Sequence, residues 1–251
     1  MKTRLRDCFD SGKGVINAWL SIPNTFTAEI TAAQDFDSVT IDLQHGLVDY
    51  QMALTMLQAM SASDATPIVR PPWLEPGIIM KLLDAGALGV ICPMVNTRAD
   101  AEKLVGICNY VPDGFRSSGP TRAGMIYGKD YHTRANKTVA TLAMIETEEA
   151  LANVDEIAAT PGLTGLYIGP SDLAISLGHM PGLDRTEPEM LTAIGKIRVA
   201  AKNAGIKVGI HCLATDYAKQ MLSEGFDLVT LGNDVRLYSA AAGAAVSAMR
   251  G

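Results

Sequence analysis

The chain has 251 residues, 48% of them apolar and 19% charged, which is enough to bury a large core and lies outside the composition of a disordered segment. A net charge of −6 and the absence of any block of Lys and Arg argue against nucleic acid or an anionic membrane surface as partner. A single domain over 1–251 that binds a small soluble molecule is the expectation.

The N-terminal stretch MKTRLRDCFDSGKG is charged and broken by glycine, and without an apolar core it does not read as a secretory signal. No run reaches the roughly 18 apolar residues of a membrane span. The cysteines, Cys8, Cys92, Cys108 and Cys212, show no C-x-x-C spacing, so reduced thiols in a cytoplasmic protein are expected. From there on, near-continuous apolar runs alternate with segments of helical period. Strands are predicted at 15 to 20, 38 to 43, 66 to 70, 88 to 93, 139 to 145, 164 to 168, 207 to 211 and 227 to 231. Helices are predicted at 24 to 35, 49 to 61, 76 to 84, 97 to 109, 147 to 159, 186 to 204, 215 to 223 and 234 to 249. Glycines in DAGA (84 to 87) and NAGI (203 to 206) close helices, while Thr97, Thr147 and Asp234 open them.

This alternation predicts an α/β fold, a (β/α)8 TIM barrel, with an open doubly wound sheet as the rival. No G-x-G-x-x-G, Walker lysine or G-x-S-x-G motif is present. The stretch 111 to 135, rich in Gly, Ser and Arg, reads as an irregular mouth loop or interface element.

Barrel enzymes work at the C-terminal ends of their strands, which makes the polar residues just after each apolar run the candidates. The second strand ends in IDLQHG with Asp42, Gln44 and His45, the third in Arg70, the fifth in Glu146, and GPSDLA after the sixth carries Asp172. Glu146 and Asp172 follow adjacent strands, and two hard carboxylates with open positions suit Mg²⁺, Mn²⁺ or a similar divalent ion. Taken singly, Glu146 also reads as a helix N-terminal carboxylate and Asp172 as a turn or N-cap residue. Arg70, stiffened by Pro71 and Pro72, suits an anionic carboxylate or enolate, or an ion pair with Asp42 or Glu146. His45 suits a general base or a loop hydrogen bond. Trp19, ending the first strand, suits the lining of a pocket at the mouth or the core. His132 and His179 fall in loops, and His211 ends the seventh strand without a spacing partner. Asp84 precedes the fourth strand, on the opposite rim, and could reach a site only across a subunit interface.

Five blocks in order, IDLQHG (41 to 46), VRPP (69 to 72), KLLDAGALGVICPMVNT (81 to 97), AMIETEEALANVDEIAA (143 to 159) and GLYIGPSDLAISLG (165 to 178), resemble the class II pyruvate aldolases of the HpcH/HpaI family. The resemblance spans nearly the whole chain. It implies a phosphoenolpyruvate/pyruvate-type barrel assembled as a homo-oligomer, a trimer or a hexamer of two trimers, with C-terminal helices exchanged. It further implies that Glu146 and Asp172 hold a divalent metal ion, Mg²⁺, Mn²⁺ or Co²⁺, and that Arg70 stabilises an enolate. His45 is then the histidine near the catalytic base, with Asp42 and a neighbour's Asp84 orienting it. Gly169, Ser171 and Asp172 offer backbone amides to the pyruvate carboxylate. Gln44 and Met144 depart from many relatives, which carry Glu and Gln there, and the departures bear on donor preference between pyruvate and hydroxypyruvate. The rivals are a CoA-thioester lyase of the citrate lyase β or malyl-CoA lyase type, and a non-catalytic keto-acid-binding barrel.

Overall fold

All eight expected strands are present in the computed structural model, which describes residues 3–251. They are β1 Val15–Leu20, β2 Ser38–Asp42, β3 Thr66–Arg70, β4 Gly89–Cys92, β5 Ala140–Ile145, β6 Gly165–Ile168, β7 Lys207–Cys212 and β8 Leu228–Leu231. Every neighbouring pair is parallel, and pairing of Val15 with Leu228 through Asn17 with Thr230 closes the sheet between β1 and β8, which excludes the open doubly wound alternative.

Side chains alternate across a strand, so each strand divides its residues between barrel interior and helical layer. Val15 and Trp19, Ile68, Ile91, Ala140, Leu142 and Met144, Tyr167 and Leu228 fill the interior as one apolar cluster. Outward neighbours such as Val39, Ile41, Val69, Val90 and Ile210 join the larger cluster under the helices. The same parity continued to the strand ends brings Trp19, Asp42, Arg70, Glu146 and His211 to one C-terminal mouth.

The N-terminal stretch, which lies outside the predicted helices, forms the helix Arg4–Ser11, capped by the Thr3 hydroxyl and closed by Gly12 in the left-handed region at φ 71°. Leu5, Cys8 and Phe9, spaced i, i+3 and i+4, enter the interior cluster and plug the barrel floor. Arg6 fastens it from the side, donating to the carbonyls of Thr138 and Val139 at 3.2 and 2.8 Å.

Most covering helices fall close to their expected bounds, but the one expected over 147 to 159 breaks at Asn153 into Glu148–Ala152 and Val154–Ala158. The reading of 111 to 135 as an irregular mouth loop is corrected. This segment contains the helix Thr121–Tyr127 and the start of Tyr131–Thr138. It connects a helix to the beginning of β5, which puts it at the floor, where the Tyr127 hydroxyl donates to the Gly86 carbonyl just ahead of β4. The last helix, Asp234–Arg250, is exposed at every residue after Asp234, with Val235, Leu237, Tyr238, Val246 and Met249 open to solvent. On β1, Ile16 is correspondingly 41% exposed although it belongs to a barrel strand.

Gly46 explains why IDLQHG ends in glycine. A Cβ there would lie 2.2 Å from the Asp42 carbonyl oxygen, a backbone atom that cannot swing away. Gly46→Ala is therefore expected to lower the urea unfolding free energy by about 2 kcal/mol or more; an unchanged midpoint and slope would contradict this packing.

Candidate active site

Asp42 is the hub of the mouth. It is in register with Arg70 on the adjacent strand, and the pair forms a two-pronged ion pair, Arg70 Nε to Oδ1 at 2.8 Å and Nη2 to Oδ2 at 2.6 Å. Trp19 Nε1 donates to the same carboxylate at 3.2 Å, and the N–H groups of Gln44 and His45 donate at 3.0 and 3.3 Å. Burial pushes the Asp42 carboxyl up, but the Arg70 hydrogen bonds and charge, then the Gln44 and Trp19 donors, hold it below the ordinary carboxylate range. The Arg70 guanidinium carbon stands 4.8 Å over the Trp19 ring, so the buried indole is a platform for the arginine. Asp42 acts on His45 through the backbone, and the exposed His45 side chain projects from a loop that this carboxylate fixes.

Across the mouth, Glu146 is 1% exposed, and its Oε1 accepts the Met94 N–H at 2.8 Å. Met94 adopts a left-handed φ of 55°, unusual for a residue with a side chain, and aims that N–H at the carboxylate. Burial is the main cause that pushes the Glu146 pKa up to about 7; the Asp172 charge adds to it, while the Met94 N–H and Arg70 oppose it. Gly169 leaves no room beyond Glu146: a Cβ there would sit 2.6 Å from Oε2 and 2.7 Å from the Met144 methyl. Asp172 is exposed in the first turn of the helix Pro170–Ser176, where Gly169 is the N-cap, so its N-cap reading is set aside. The amides of Ser171 and Asp172 lie in that first turn, where helix geometry supplies no intrahelical acceptor.

His211 is the residue that the sequence undervalued. Its Nδ1 is 3.1 Å from the Tyr167 hydroxyl, which donates to Thr230 Oγ1 at 2.7 Å. Asn17 continues the chain inward, donating to Thr230 at 2.9 Å and accepting the Ser38 and Thr40 hydroxyls. The ring packs edge-on against Trp19 at 4.9 Å. Burial, then the Arg70 charge, lowers the His211 pKa to about 4, so it is a neutral imidazole at the mouth. Its signal lay in strand parity, since His211 follows Gly209 by two. Gln44 is half-buried, and its Oε1 has no hydrogen-bond partner among the described residues.

The structure thus brings together Trp19, Asp42, Gln44, His45, Arg70, Glu146, Gly169, Ser171 and Asp172 at one end. It places Asp84 at the other, paired with Arg116 at 2.7 Å. A cleft of about 680 Å³ also lies at the floor, lined by Arg4, Asp37, Thr66 and Tyr127 among others, but Arg4 and Asp37 there are already paired with each other. Chemistry, not cleft size, locates the site. Among the described residues no group of three or more His, Cys, Asp or Glu side chains is arranged to hold a metal ion. Glu146 and Asp172 fit a divalent cation as a two-carboxylate set, because burial and the Asp172 charge both disfavour the Glu146 anion and a hard cation bound there would favour it.

A parallel eightfold barrel with a buried acid–arginine pair and two further carboxylates at the C-terminal strand ends has the layout of a barrel enzyme, with its charged groups at the mouth. The profile of the HpcH/HpaI aldolase/citrate lyase family matches residues 16–241. The chain is 47% identical to a hydroxypyruvate/pyruvate aldolase of Rhizorhabdus wittichii over 95% of both chains. It is 33% identical to a 5-keto-4-deoxy-D-glucarate aldolase of Shigella dysenteriae over 90% of this chain and 88% of that one. A solved HpcH/HpaI aldolase/citrate lyase family protein from Burkholderia cenocepacia superposes with a TM-score of 0.92 at 32% identity, over 98% of both chains. The chain belongs to the HpcH/HpaI aldolase/citrate lyase family, and it is a class II aldolase, a carbon–carbon lyase.

The raised Glu146 carboxyl has a consequence for stability. A carboxyl whose folded pKa exceeds its unfolded value keeps its proton longer in the native state, so stability falls as pH rises from 4.5 to about 7 and stays lower above that. The shift corresponds to roughly 3 kcal/mol. In metal-free protein, Glu146→Gln is expected to be more stable than the parent at pH 8, with the gap closing by about pH 4. Denaturation in chelator checks this, and equal stability at pH 8 would contradict it.

Proposed function

We propose that the protein is a divalent-metal-dependent aldolase that adds the enolate of pyruvate or hydroxypyruvate to an aldehyde, giving a 4-hydroxy-2-oxo acid, and cleaves that product in reverse. The observation that carries this reading is the opposition of two charge arrangements in one mouth, the Asp42–Arg70 pair and the Glu146–Asp172 pair. Similarity to the hydroxypyruvate/pyruvate aldolase supports the choice of donor.

A Mg²⁺, Mn²⁺ or Co²⁺ ion held by Glu146 and Asp172 supplies Lewis-acid polarisation of the 2-oxo acid, worth several kcal/mol in such sites. The chain's own residues do the rest. The Ser171 and Asp172 amides, reached past the bare Gly169, bind the donor carboxylate at the helix N-terminus. Arg70, with Nε and Nη2 committed to Asp42, presents its remaining Nη1 to the oxygen that becomes negative in the enolate. His45, working with a water, removes the proton from C3 and later returns one to the new alkoxide. Asp84 of a neighbouring subunit orients the His45 ring, while Asp42 holds its backbone. The C3 carbon then attacks the aldehyde carbonyl, and the new carbon–carbon bond leaves the hydroxyl at C4. Trp19 supports this wall. To Gln44, whose amide oxygen has no hydrogen-bond partner among the described residues, we assign the hydroxyl that distinguishes hydroxypyruvate from pyruvate.

The exposed apolar side of Asp234–Arg250 and the open outer face at Ile16 support a trimer or hexamer in which that helix covers a second copy. Free buried thiols at Cys8, Cys92, Cys108 and Cys212 support a reducing, cytoplasmic setting, and no helix among the described residues is long and apolar enough to cross a membrane.

Deuterium uptake at the pyruvate methyl in D₂O, read by mass spectrometry, tests the reading. Uptake is expected with Mg²⁺ or Mn²⁺ and is expected to stop with EDTA. His45→Ala is expected to slow it by about 10²-fold or more. Uptake that persists in EDTA, or a full rate without His45, would overturn the proposal.

A further inference from the structure

Three consecutive residues of the turn leading into β4 are each held by a different side chain from the floor segment. Arg116 Nη2 donates to Asp84 Oδ1 at 2.7 Å, Arg122 Nη1 to the Ala85 carbonyl, and the Tyr127 hydroxyl to the Gly86 carbonyl at 2.7 Å. Gly86 sits at φ 112°, and a Cβ on it would meet Arg122 Nη1 at 2.6 Å, so turn and clamp are fitted to each other.

Arg116 differs from its two companions. Its side chain is 0% exposed, while that of its partner Asp84 is 29% exposed. The guanidinium carbon lies 4.6 Å from the centre of the Tyr110 ring and 5.6 Å from that of Tyr131. Nη1 donates to the Tyr131 hydroxyl at 3.1 Å, whereas Nε has no partner among the described residues. Both rings are themselves fixed. Asn136 exchanges two 2.8 Å hydrogen bonds with the Tyr110 backbone, and Tyr127 stacks on Tyr131 at 5.8 Å. Enclosing a whole guanidinium and leaving one donor unmade is costly. A staple for a turn does not need it, since Arg122 holds the next residue from a half-buried position. What enclosure adds is direction. With its rotamers removed by two rings, Arg116 gives the Asp84 carboxylate one orientation, engaged through Oδ1 and open at the floor through its exposed part.

We infer that Arg116 is a positioning residue: gripped between Tyr110 and Tyr131, it aims the Asp84 carboxylate of one subunit at the His45 imidazole of another. A carboxylate accepting a ring N–H fixes the tautomer and orientation of the histidine that moves the C3 proton. The inference rests on the reading that Asp84 acts across a subunit interface, and the experiment separates the two.

The assembled full-length enzyme is assayed as Asp84→Asn, Arg116→Gln, Arg116→Lys and the double variant Asp84→Asn/Arg116→Gln, with kcat and the pyruvate KM measured for each. Asp84→Asn is expected to lower kcat about 100-fold, and Arg116→Gln about tenfold, with the pyruvate KM changed by less than about twofold. Arg116→Lys is expected to recover part of that loss, and the double variant to be no slower than Asp84→Asn alone. Wild-type kcat in Asp84→Asn would overturn the cross-subunit reading and the inference with it. Wild-type kcat in Arg116→Gln, or a double variant slower than Asp84→Asn by the full Arg116→Gln factor, would overturn the role of Arg116 alone. Should Arg116→Gln fail to fold, Tyr131→Phe with Arg116→Lys decides: a kcat loss of about threefold in each at unchanged KM supports the inference, and wild-type kcat in both overturns it.

Discussion

The mouth of this barrel depends on one buried ion pair. Asp42 and Arg70 face each other in register on adjacent strands, and the carboxylate gathers five donors from four residues: Arg70 twice, Trp19, and the backbone of Gln44 and His45. Two things follow from that convergence. The guanidinium is fixed over the indole with one edge committed and one edge left for an anion, and the loop that carries His45 is tied to the strand end. An exposed pair of the same residues would be worth little. Buried, with every lone-pair direction answered, it sets the geometry of a wall.

Asp42 and Glu146 make a controlled comparison, because both are carboxylates 1% exposed at the same level of one barrel. Asp42 is held below the ordinary range because a guanidinium meets it directly. Glu146 is pushed up to about 7 because burial is answered there by a single backbone N–H, from Met94, and the nearby Asp172 charge adds to the rise. The same functional group is thus held toward its anionic form on one side and away from it on the other. The first organises the protein's own cation, while the second shares its side of the mouth with another carboxylate, that of Asp172. His211 belongs to neither arrangement. Lowered to about 4 by burial and Arg70, it stays neutral, and it ties the mouth to the polar chain through Tyr167, Thr230 and Asn17.

Much of this was legible in the sequence, for physical reasons that also explain the rest. A parallel barrel buries both faces of each strand, so its eight strands announce themselves as continuous apolar runs, and every one lies where the runs put it. Strand ends then mark Asp42, Arg70 and Glu146 without knowledge of their contacts. The helix Arg4–Ser11 went unseen because only Leu5, Cys8 and Phe9 are apolar in it, and its charged residues cap and fasten the barrel. The helices at 121 to 138 were hidden by their glycine and by polar side chains such as Arg122 and Tyr127, whose work is to hold backbone carbonyls at the floor. Partnerships were harder still. Glu146 meets Met94 across 52 residues, Tyr167 meets His211 across 44, and Arg116 meets Asp84 across 32, and none of these spacings repeats a local period.

The central claim is that the Asp42–Arg70 pair, acting as a unit, prepares the arginine to stabilise an enolate. Its most direct test is a double-mutant cycle on proton exchange at the pyruvate methyl with metal present, using Asp42→Asn, Arg70→Lys and their combination. Removing the charge of Asp42 alone is expected to slow exchange about as much as replacing Arg70, and the combined variant to lose little more than either one. Wild-type exchange in Asp42→Asn, or losses that simply multiply, would show that Arg70 works without the carboxylate that holds it.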